Sequence, residues 1–209
     1  MKPAQLDPAG YPASNAPVLN LPNALTLLRL LCVPVMVVLL FSGGGGAGLA
    51  RDSAALVFVI ASITDFIDGA VARRLGQVTN FGKLADPLAD KALIGAALIG
   101  LSILGDLPWW VTVVILVREF AVSLLRLWVI EHGVIPASRG GKLKTVVQTI
   151  AITMYLVVVP GLTWWAVVSS VVMGAAVVLT IATGVDYFMR ARRLRSVAPG
   201  MITDDGAVR

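Results

Sequence analysis

Apolar residues in this chain are concentrated in six long runs, separated by short segments that contain polar residues, glycine or proline. A helix needs ~20 apolar residues to cross the hydrocarbon core of a bilayer, and each run is close to that length. The predicted spans lie at about 22–44, 53–74, 84–105, 108–130, 144–162 and 164–188. The pattern therefore predicts an all-α, polytopic membrane protein with six transmembrane helices.

The polar ends of the chain divide it into three predicted regions. Residues 1–20, rich in proline, alanine and asparagine, are expected to form a disordered cytosolic leader. The six-helix transmembrane domain occupies 21–189, and a basic cytosolic tail follows over 190–209. Composition agrees, since 57% of the residues are hydrophobic, 14% are charged and the mean hydropathy is +0.87. A soluble domain needs more polar surface than that.

Cations are distributed unevenly between the two sides of the predicted topology. With the N-terminus in the cytosol, the only cation in an outer loop is Arg51. The inner loops and the tail hold Arg73, Arg74, Lys83, Arg139, Lys142, Lys144, Arg190, Arg192, Arg193 and Arg195. This asymmetry obeys the positive-inside rule, and the net charge of +5 suits anionic headgroups or phosphorylated substrates. No nucleic-acid binding is expected, because no aromatic platform is interleaved with the basic residues.

Acidic and small residues share one face on each of the second and third predicted helices, at 100° per residue. A short cytosolic turn between these helices should bring the two faces together near the inner membrane boundary. The residues on these faces are Asp65, Asp68, Gly69 and Ala72 in the second helix, and Gly82, Asp86 and Asp90 in the third. The sequence therefore predicts a cluster of four carboxylates at the cytosolic edge.

Four carboxylates at this depth require cationic partners, because removing charges from water is costly. Divalent ions such as Mg²⁺ or Mn²⁺ are suitable, since they prefer oxygen ligands. The alternatives are few: the single Cys32 lies inside the first predicted helix, and the single His132 lies in a loop. Two bound ions could bridge a pyrophosphate and neutralise the charge that develops on it. The small residues beside the acids would leave room for a nucleotide.

Structural explanations of single residues remain open. A helix cap, topogenic charges and buried ion pairs would each account for part of the pattern. Asp86 followed by Pro87 could be a helix cap, and Arg73 and Arg74 could be topogenic charges. Asp65 and Asp68 could form buried ion pairs with Lys91 or Arg126. The combined order and spacing of four acids and three small residues favours a shared site over these separate explanations.

These residues resemble the signature of the CDP-alcohol phosphotransferases, D-x2-D-G-x2-A-R-x8-G-x3-D-x3-D. Every fixed position is matched, by Asp65, Asp68, Gly69, Ala72, Arg73, Gly82, Asp86 and Asp90. The resemblance implies a six-helix membrane fold, commonly a homodimer, that holds two Mg²⁺ or Mn²⁺ ions and a CDP-linked donor. It also implies a bacterial-type cytoplasmic membrane as the location, with the active site facing the cytosol.

The same resemblance assigns roles to individual positions. Asp65, Asp68 and Asp86 would be metal ligands, and Asp90 would bind the second metal and act as the general base. The residues that would contact the cytidine diphosphate are Asn23, Thr26, Asp68, Gly69, Ala72, Arg73 and Gly82, of which the first two begin an N-x2-T-x2-R pattern ending at Arg29.

Basic residues in the second half of the chain indicate the chemistry of the acceptor alcohol. Arg118 and Arg126 lie about 80° apart on the fourth predicted helix, close enough to face one pocket. Several cations beside a metal site favour a phosphorylated acceptor, because Arg and Lys bind phosphate through charge-assisted hydrogen bonds. The predicted phosphate-binding set is Arg118, Arg126, Arg139, Lys142 and Lys144. Arg118 could instead pair with Glu119, and the two lysines could be anchoring charges.

Two motifs in this half resemble those of the bacterial phosphatidylglycerophosphate synthases, the branch of the family that joins CDP-diacylglycerol to sn-glycerol 3-phosphate. They are R-E-x3-S-x2-R over 118–126 and G-K-x-K-T over 141–145, shortly before Gln148. Leu127 is a departure, since an acidic residue is common at that position in these synthases. The resemblance implies a transferase whose products are phosphatidylglycerophosphate and CMP.

Two other functions remain open on the sequence. A sister transferase could use inositol phosphate, whereas the cationic set argues against serine and free inositol. A cation transporter could use the acids as an ion path, but the acids lie at one membrane edge and no repeated halves are apparent. The phosphatidyltransferase is therefore the favoured function.

Overall fold

Helices account for every regular element in the part of the chain that the structure describes. This computed structural model describes residues 21–75, 80–129 and 139–197, and side-chain surroundings within 23–65, 88–125 and 140–190 and at 192. The α-helices are α1 (Leu21–Phe41), α2 (Leu49–Leu75), α3 (Asn80–Ile103), α4 (Trp109–Val129), α5 (Arg139–Leu156) and α6 (Thr163–Val197), with a 3₁₀ turn over Ser42–Gly45. The all-α prediction is confirmed for these residues. The predicted leader and residues 198–209 lie outside them.

Two of the described helices are long and apolar enough to cross a membrane. They cover Asn23–Gly45, which includes most of α1, and Thr163–Arg190 within α6. Large apolar side chains are exposed along both, among them Leu31, Val38 and Val178. Extensive exposed apolar surface of this kind suits contact with lipid or with another protein. The count of six membrane spans stays a prediction.

The first of two compact units contains α1, α2 and α3 up to Gly100, together with Leu156–Val158. α1 packs along α2, and Met36, Leu40 and Phe58 are fully buried in this unit. α3 approaches α1 at Gly100, where an added Cβ would lie 2.6 Å from Cδ2 of Leu40. The absence of a side chain at this position is therefore what allows the two helices to come so close.

The turn between α1 and α2 is tied down by a buried arginine. Gly43 adopts a φ of 68°, a conformation that favours glycine. Arg51 is only 2% exposed and donates hydrogen bonds to the carbonyls of Gly45 and of Leu156, the latter at 3.0 Å. The prediction of an outer-loop position for Arg51 was wrong, because α2 begins two residues earlier. Its guanidinium satisfies carbonyls at the ends of the 3₁₀ turn and of α5, where the helical backbone offers no partner.

The second unit contains Leu101–Tyr155 and the chain from Val159 onwards. In the latter segment the described helix is α6. α4 packs on α6. The hydroxyls of Ser102 and Thr112 form a 2.7 Å hydrogen bond across the turn between α3 and α4. The indole Nε1 of Trp165 on α6 donates to the carbonyl of Met154 on α5 at 3.2 Å. These contacts join the helices of this unit.

α5 occupies a different range from the predicted helix. It begins at Arg139 and ends at Leu156, whereas the apolar pattern predicted about 144–162. Pro160 opposes a longer helix, because it lacks the backbone N–H that would bond to the carbonyl of Leu156, four residues earlier. Gly161 then adopts a φ of 77°. The apolar residues after 156 belong to a turn.

α6 is longer than predicted, since it continues to Val197 rather than to 188. Arg190 pairs with Asp186 one turn earlier, with Nε 3.0 Å from Oδ2. The guanidinium of Arg192 lies 4.6 Å from the centroid of the Phe188 ring. Pairs of this spacing support a helix beyond its apolar part. The basic residues at the start of the predicted tail are thus helical.

Candidate active site

In the first unit, one predicted metal ligand is paired with a buried arginine. Nη1 of Arg29 on α1 lies 2.5 Å from Oδ1 of Asp65 on α2. The Arg29 side chain is 1% exposed, whereas the Asp65 side chain is 37% exposed. The arginine therefore orients the carboxylate and compensates its charge from inside the unit. The partners considered for this acid from the sequence were Lys91 and Arg126, whereas the structure pairs it with Arg29.

Arg29 is the last member of a buried polar row on α1. Asn23, Thr26 and Arg29 are 6%, 0% and 1% exposed, respectively. Leu27 and Leu31, which face away from this row, are more than half exposed. Polar residues on the inner face of such an apolar helix are costly unless they serve binding or pairing. The predicted contact of Asn23 and Thr26 with cytidine diphosphate stays a prediction.

The described backbone places each predicted acidic face on a single uninterrupted helix. α2 runs without a break to Leu75, and α3 begins at Asn80. Asp65 on α2 and Asp90 on α3 are both partly exposed. The remaining predicted residues of this site have side chains outside those described; they are Asp68, Gly69, Ala72, Arg73, Gly82 and Asp86.

The donors that can be seen suit a hard divalent ion. Among the described side chains, no three His, Cys, Asp or Glu residues lie together in a possible metal site. Two of the four predicted ligands fall outside that part of the chain, so the four-acid centre stays a prediction. Asp65 and Asp90 offer carboxylate oxygens, the ligand type that Mg²⁺ and Mn²⁺ prefer. The residues present therefore fit the metals that the resemblance implies.

In the second unit, Arg118, Glu119 and Lys144 form an ionic group that we call the cationic cluster. Oε1 of Glu119 accepts hydrogen bonds from Nη1 of Arg118, at 3.0 Å, and from the ammonium of Lys144. The three side chains are 16%, 18% and 3% exposed, respectively. Because two cations share one carboxylate, the cluster carries one positive charge that none of its own members compensates.

Arg118 is also held by α6. Its Nε donates to the carbonyl of Thr180 at 3.1 Å, and its Nη2 donates to the hydroxyl of Thr183 at 2.7 Å. Gly184 makes room for it, since an added Cβ would lie 3.2 Å from Cγ of Arg118. These contacts and the one to Glu119 use one N–H on each guanidinium nitrogen, out of the five that the group carries. Its orientation is therefore set before any ligand binds.

The structure brings together two members of the predicted phosphate-binding set, Arg118 and Lys144. Lys142 is exposed. The side chains of Arg126 and Arg139 lie outside those described. Arg118 does pair with Glu119, as the alternative interpretation predicted. Glu119 also binds Lys144, so the three side chains form one group.

A family model described as CDP-alcohol phosphatidyltransferase matches residues 19–184 of the chain. The chain belongs to this family. The match spans α1 to α5 and most of α6, and includes both acidic faces and the cationic cluster. Membership of the CDP-alcohol phosphatidyltransferases makes the protein a transferase of a helical, membrane-type enzyme family, as the signature indicated.

Several relatives within the family carry names that state a reaction. A protein of Mycobacterium tuberculosis named "Probable phosphatidylglycerophosphate synthase" is 56% identical over 184 residues, which cover 88% of this chain and 87% of that protein. A "CDP-diacylglycerol--glycerol-3-phosphate 3-phosphatidyltransferase" of Rickettsia typhi is 41% identical over 172 residues, or 81% and 95% of the two chains. The Bacillus subtilis protein of the same name is 39% identical over 184 residues, or 82% and 94%.

Two members of these ion pairs, Arg29 and Glu119, have no predicted site role. Arg29 was noted only as the end of the N-x2-T-x2-R pattern, and Glu119 only as a possible pair for Arg118. A usable signal existed for both, because each is an ionisable residue inside an apolar run. Their partners on other helices could not be read from spacing along the chain.

Proposed function

We propose that this enzyme transfers the phosphatidyl group of CDP-diacylglycerol to sn-glycerol 3-phosphate and releases phosphatidylglycerophosphate and CMP. The three relatives described above are named for this product or reaction and are 39–56% identical to the chain. The structural observation that carries the proposal is the cationic cluster. It offers a positive charge that a phosphorylated alcohol requires and that a neutral alcohol does not.

The acidic residues bind the metal ions that act on the CDP-linked donor. Asp65, Asp68, Asp86 and Asp90 would hold two divalent cations, Mg²⁺ or Mn²⁺, which when bound neutralise charge on the pyrophosphate. The cytidine diphosphate contacts an overlapping set that shares Asp68 with the metal ligands: Asn23, Thr26, Asp68, Gly69, Ala72, Arg73 and Gly82. Arg29 binds no substrate in this proposal and keeps Asp65 in position.

Asp90 acts as the general base. Its carboxylate accepts the proton of the acceptor hydroxyl, and the hydroxyl oxygen forms a bond to the phosphorus that carries the diacylglycerol. The bond between that phosphorus and the oxygen of the departing CMP breaks in line with the attack. The proton remains on Asp90 until it is lost to solvent, and CMP leaves as the second product.

The acceptor phosphate binds to Arg118 and Lys144, with Arg126, Arg139 and Lys142 as further members of the set. Glu119 supports this binding by holding both cations in place, so that little side-chain freedom is lost when the acceptor arrives. Charge-assisted hydrogen bonds from Arg and Lys to phosphate are among the stronger contacts available. This step distinguishes a phosphorylated acceptor from serine or free inositol.

Inositol phosphate is the second candidate acceptor, because the cationic cluster recognises phosphate and does not by itself recognise the alcohol. The names of the relatives favour glycerol 3-phosphate. We further propose six membrane spans, a bacterial-type cytoplasmic membrane, an active site facing the cytosol and a homodimer. The distribution of cations supports the orientation.

The experiment that tests the proposal is an acceptor assay on the purified enzyme in detergent with CDP-diacylglycerol and Mg²⁺. Glycerol 3-phosphate, inositol phosphate, serine and inositol are supplied separately, and CMP release and the lipid product are measured. We expect phosphatidylglycerophosphate with glycerol 3-phosphate and no lipid product with serine or inositol. Exclusive use of inositol phosphate would overturn the assignment of the acceptor.

A further inference from the structure

Gln148 on α5 is a buried amide for which the described residues supply no partner. Its side chain is 0% exposed. Neither Nε2 nor Oε1 has a hydrogen-bond partner in the part of the chain that the structure describes. Nearly all buried side-chain polar groups in folded proteins are hydrogen-bonded, since an unsatisfied group costs free energy. An amide that lacks both kinds of partner therefore requires an explanation.

The position of Gln148 relates it to the cationic cluster. It follows Lys144 by four residues, so the two side chains lie about 40° apart on α5 and one turn, about 5 to 6 Å, apart along its axis. Both residues are buried. The ammonium of Lys144 reaches Glu119 on α4, which shows that this face of α5 is turned towards α4. Gln148 extends the same face one turn further from the start of α5.

Thr180 provides a second unsatisfied group next to the cluster. Its carbonyl accepts the hydrogen bond from Nε of Arg118, at 3.1 Å. Its hydroxyl is buried, at 0% exposure of the residue, and has no partner among the described residues. The cationic cluster is thus bordered by two neutral polar groups that have no partner among the described residues, one on α5 and one on α6.

We infer that Gln148 recognises the secondary hydroxyl of the acceptor, the C2 hydroxyl of sn-glycerol 3-phosphate, and that Thr180 assists it. The inference rests on the proposed function. An amide both donates and accepts, which matches a hydroxyl group, and its neutrality leaves the phosphate to Arg118 and Lys144. A three-carbon polyol phosphate is long enough to reach from Lys144 to a residue one helical turn away. Lys144 then binds the phosphate, and Gln148, one turn further along the same face of α5, binds the hydroxyl.

The test uses Gln148→Met, which keeps the length of the side chain and removes its donor and acceptor, and two acceptors that differ by one hydroxyl. These acceptors are sn-glycerol 3-phosphate and 3-hydroxypropyl phosphate, which lacks the C2 hydroxyl. The wild-type enzyme should favour glycerol 3-phosphate by about tenfold in kcat/KM, the size expected for one good hydrogen bond. Gln148→Met should raise the KM for glycerol 3-phosphate about tenfold and abolish the preference. Its KM for CDP-diacylglycerol should stay unchanged. Its Tm should not fall, because an apolar group replaces an unsatisfied polar one.

The matched control is Thr153→Val, also a polar-to-apolar change on α5. The hydroxyl of Thr153 donates to the carbonyl of Thr149 at 2.9 Å and so has a local partner. This variant should keep the preference for glycerol 3-phosphate. Thr180→Val should weaken the preference less than Gln148→Met, and it provides a second measurement if the first variant does not fold.

The outcomes separate this inference from the proposed function. A wild-type enzyme that makes no phosphatidylglycerophosphate overturns the proposed function itself. A wild-type enzyme that does make it, with a Gln148→Met variant that retains the tenfold preference, overturns only the role of Gln148. A variant with a lowered Tm and an equal loss of rate for both acceptors also overturns it, since Gln148 would then be a structural residue satisfied through water.

Discussion

The two units each contain a buried cation that pairs with an acid on another helix, but the pair in the first unit is neutral and the group in the second has a net positive charge. In the first unit the arginine of the Arg29–Asp65 pair is buried and the acid is 37% exposed. In the second unit Lys144 is 3% exposed and Glu119 is 18% exposed, and Arg118 shares the same carboxylate. In the proposed function, the first arrangement offers a positioned carboxylate to a cation, and the second offers positive charge to an anion. Under that proposal, similar ion pairs prepare sites for ligands of opposite charge.

The largest effect is expected where the acid itself takes part in the reaction. Asp90→Asn should lower CMP release from CDP-diacylglycerol and glycerol 3-phosphate about a thousandfold, because the amide cannot accept the proton. Asp52→Asn, an exposed residue in the first turn of α2, is the matched control and should remain near wild-type activity. A folded Asp90→Asn enzyme with near-normal turnover would remove the general base from the proposal.

The second prediction concerns the asymmetry within the Arg29–Asp65 pair. Asp65→Asn leaves a guanidinium at 1% exposure without this carboxylate and should lower the free energy of unfolding by about 3 kcal/mol. Arg29→Met leaves a carboxylate that is 37% exposed and can be hydrated, so about 1 kcal/mol is expected. Thermal unfolding in detergent, with divalent cations chelated, measures both losses.

The exposed pair on α6 is the control for this asymmetry. Arg190 and Asp186 are 51% and 42% exposed, so removing either charge should change stability by less than about 0.5 kcal/mol. Equal losses for Asp65→Asn and Arg29→Met would show that burial of the arginine does not decide the energetics of the pair in the first unit.

The third prediction separates two lysines that the sequence treats alike. Lys144→Gln should raise the KM for glycerol 3-phosphate tenfold or more, the loss expected for a hydrogen bond to a charged group. Lys142→Gln should raise it about threefold at most, because this side chain is exposed and screened by solvent. Equal effects of the two substitutions would contradict the assignment of the acceptor phosphate to the cationic cluster.

Lys142 and Lys144 also illustrate what can be predicted from the sequence. The helices and the acidic signature follow from local patterns, namely the length of apolar runs and a spacing of three or four residues. The end of α6 was missed because polar pairs such as Asp186 with Arg190 extend it beyond its apolar part. Which lysine is buried depends on how α5 faces α4, and which residue holds Asp65 depends on how α1 packs on α2. Neither relation is encoded in spacing along the chain.

The prediction with the smallest expected effect concerns the stability of two glycine variants, one in a helix of each unit. Gly174 lies within α6 and an added Cβ would meet nothing within 4 Å, so Gly174→Ala should stabilise by about 0.5–1 kcal/mol through helix propensity. Gly100→Ala gains the same propensity but places a methyl group 2.6 Å from buried Leu40, so a net loss of about 1 kcal/mol is expected. Thermal unfolding of both variants gives the sign of each change. Stabilisation by both would mean that Leu40 moves aside at little cost, and that α3 does not need glycine to approach α1.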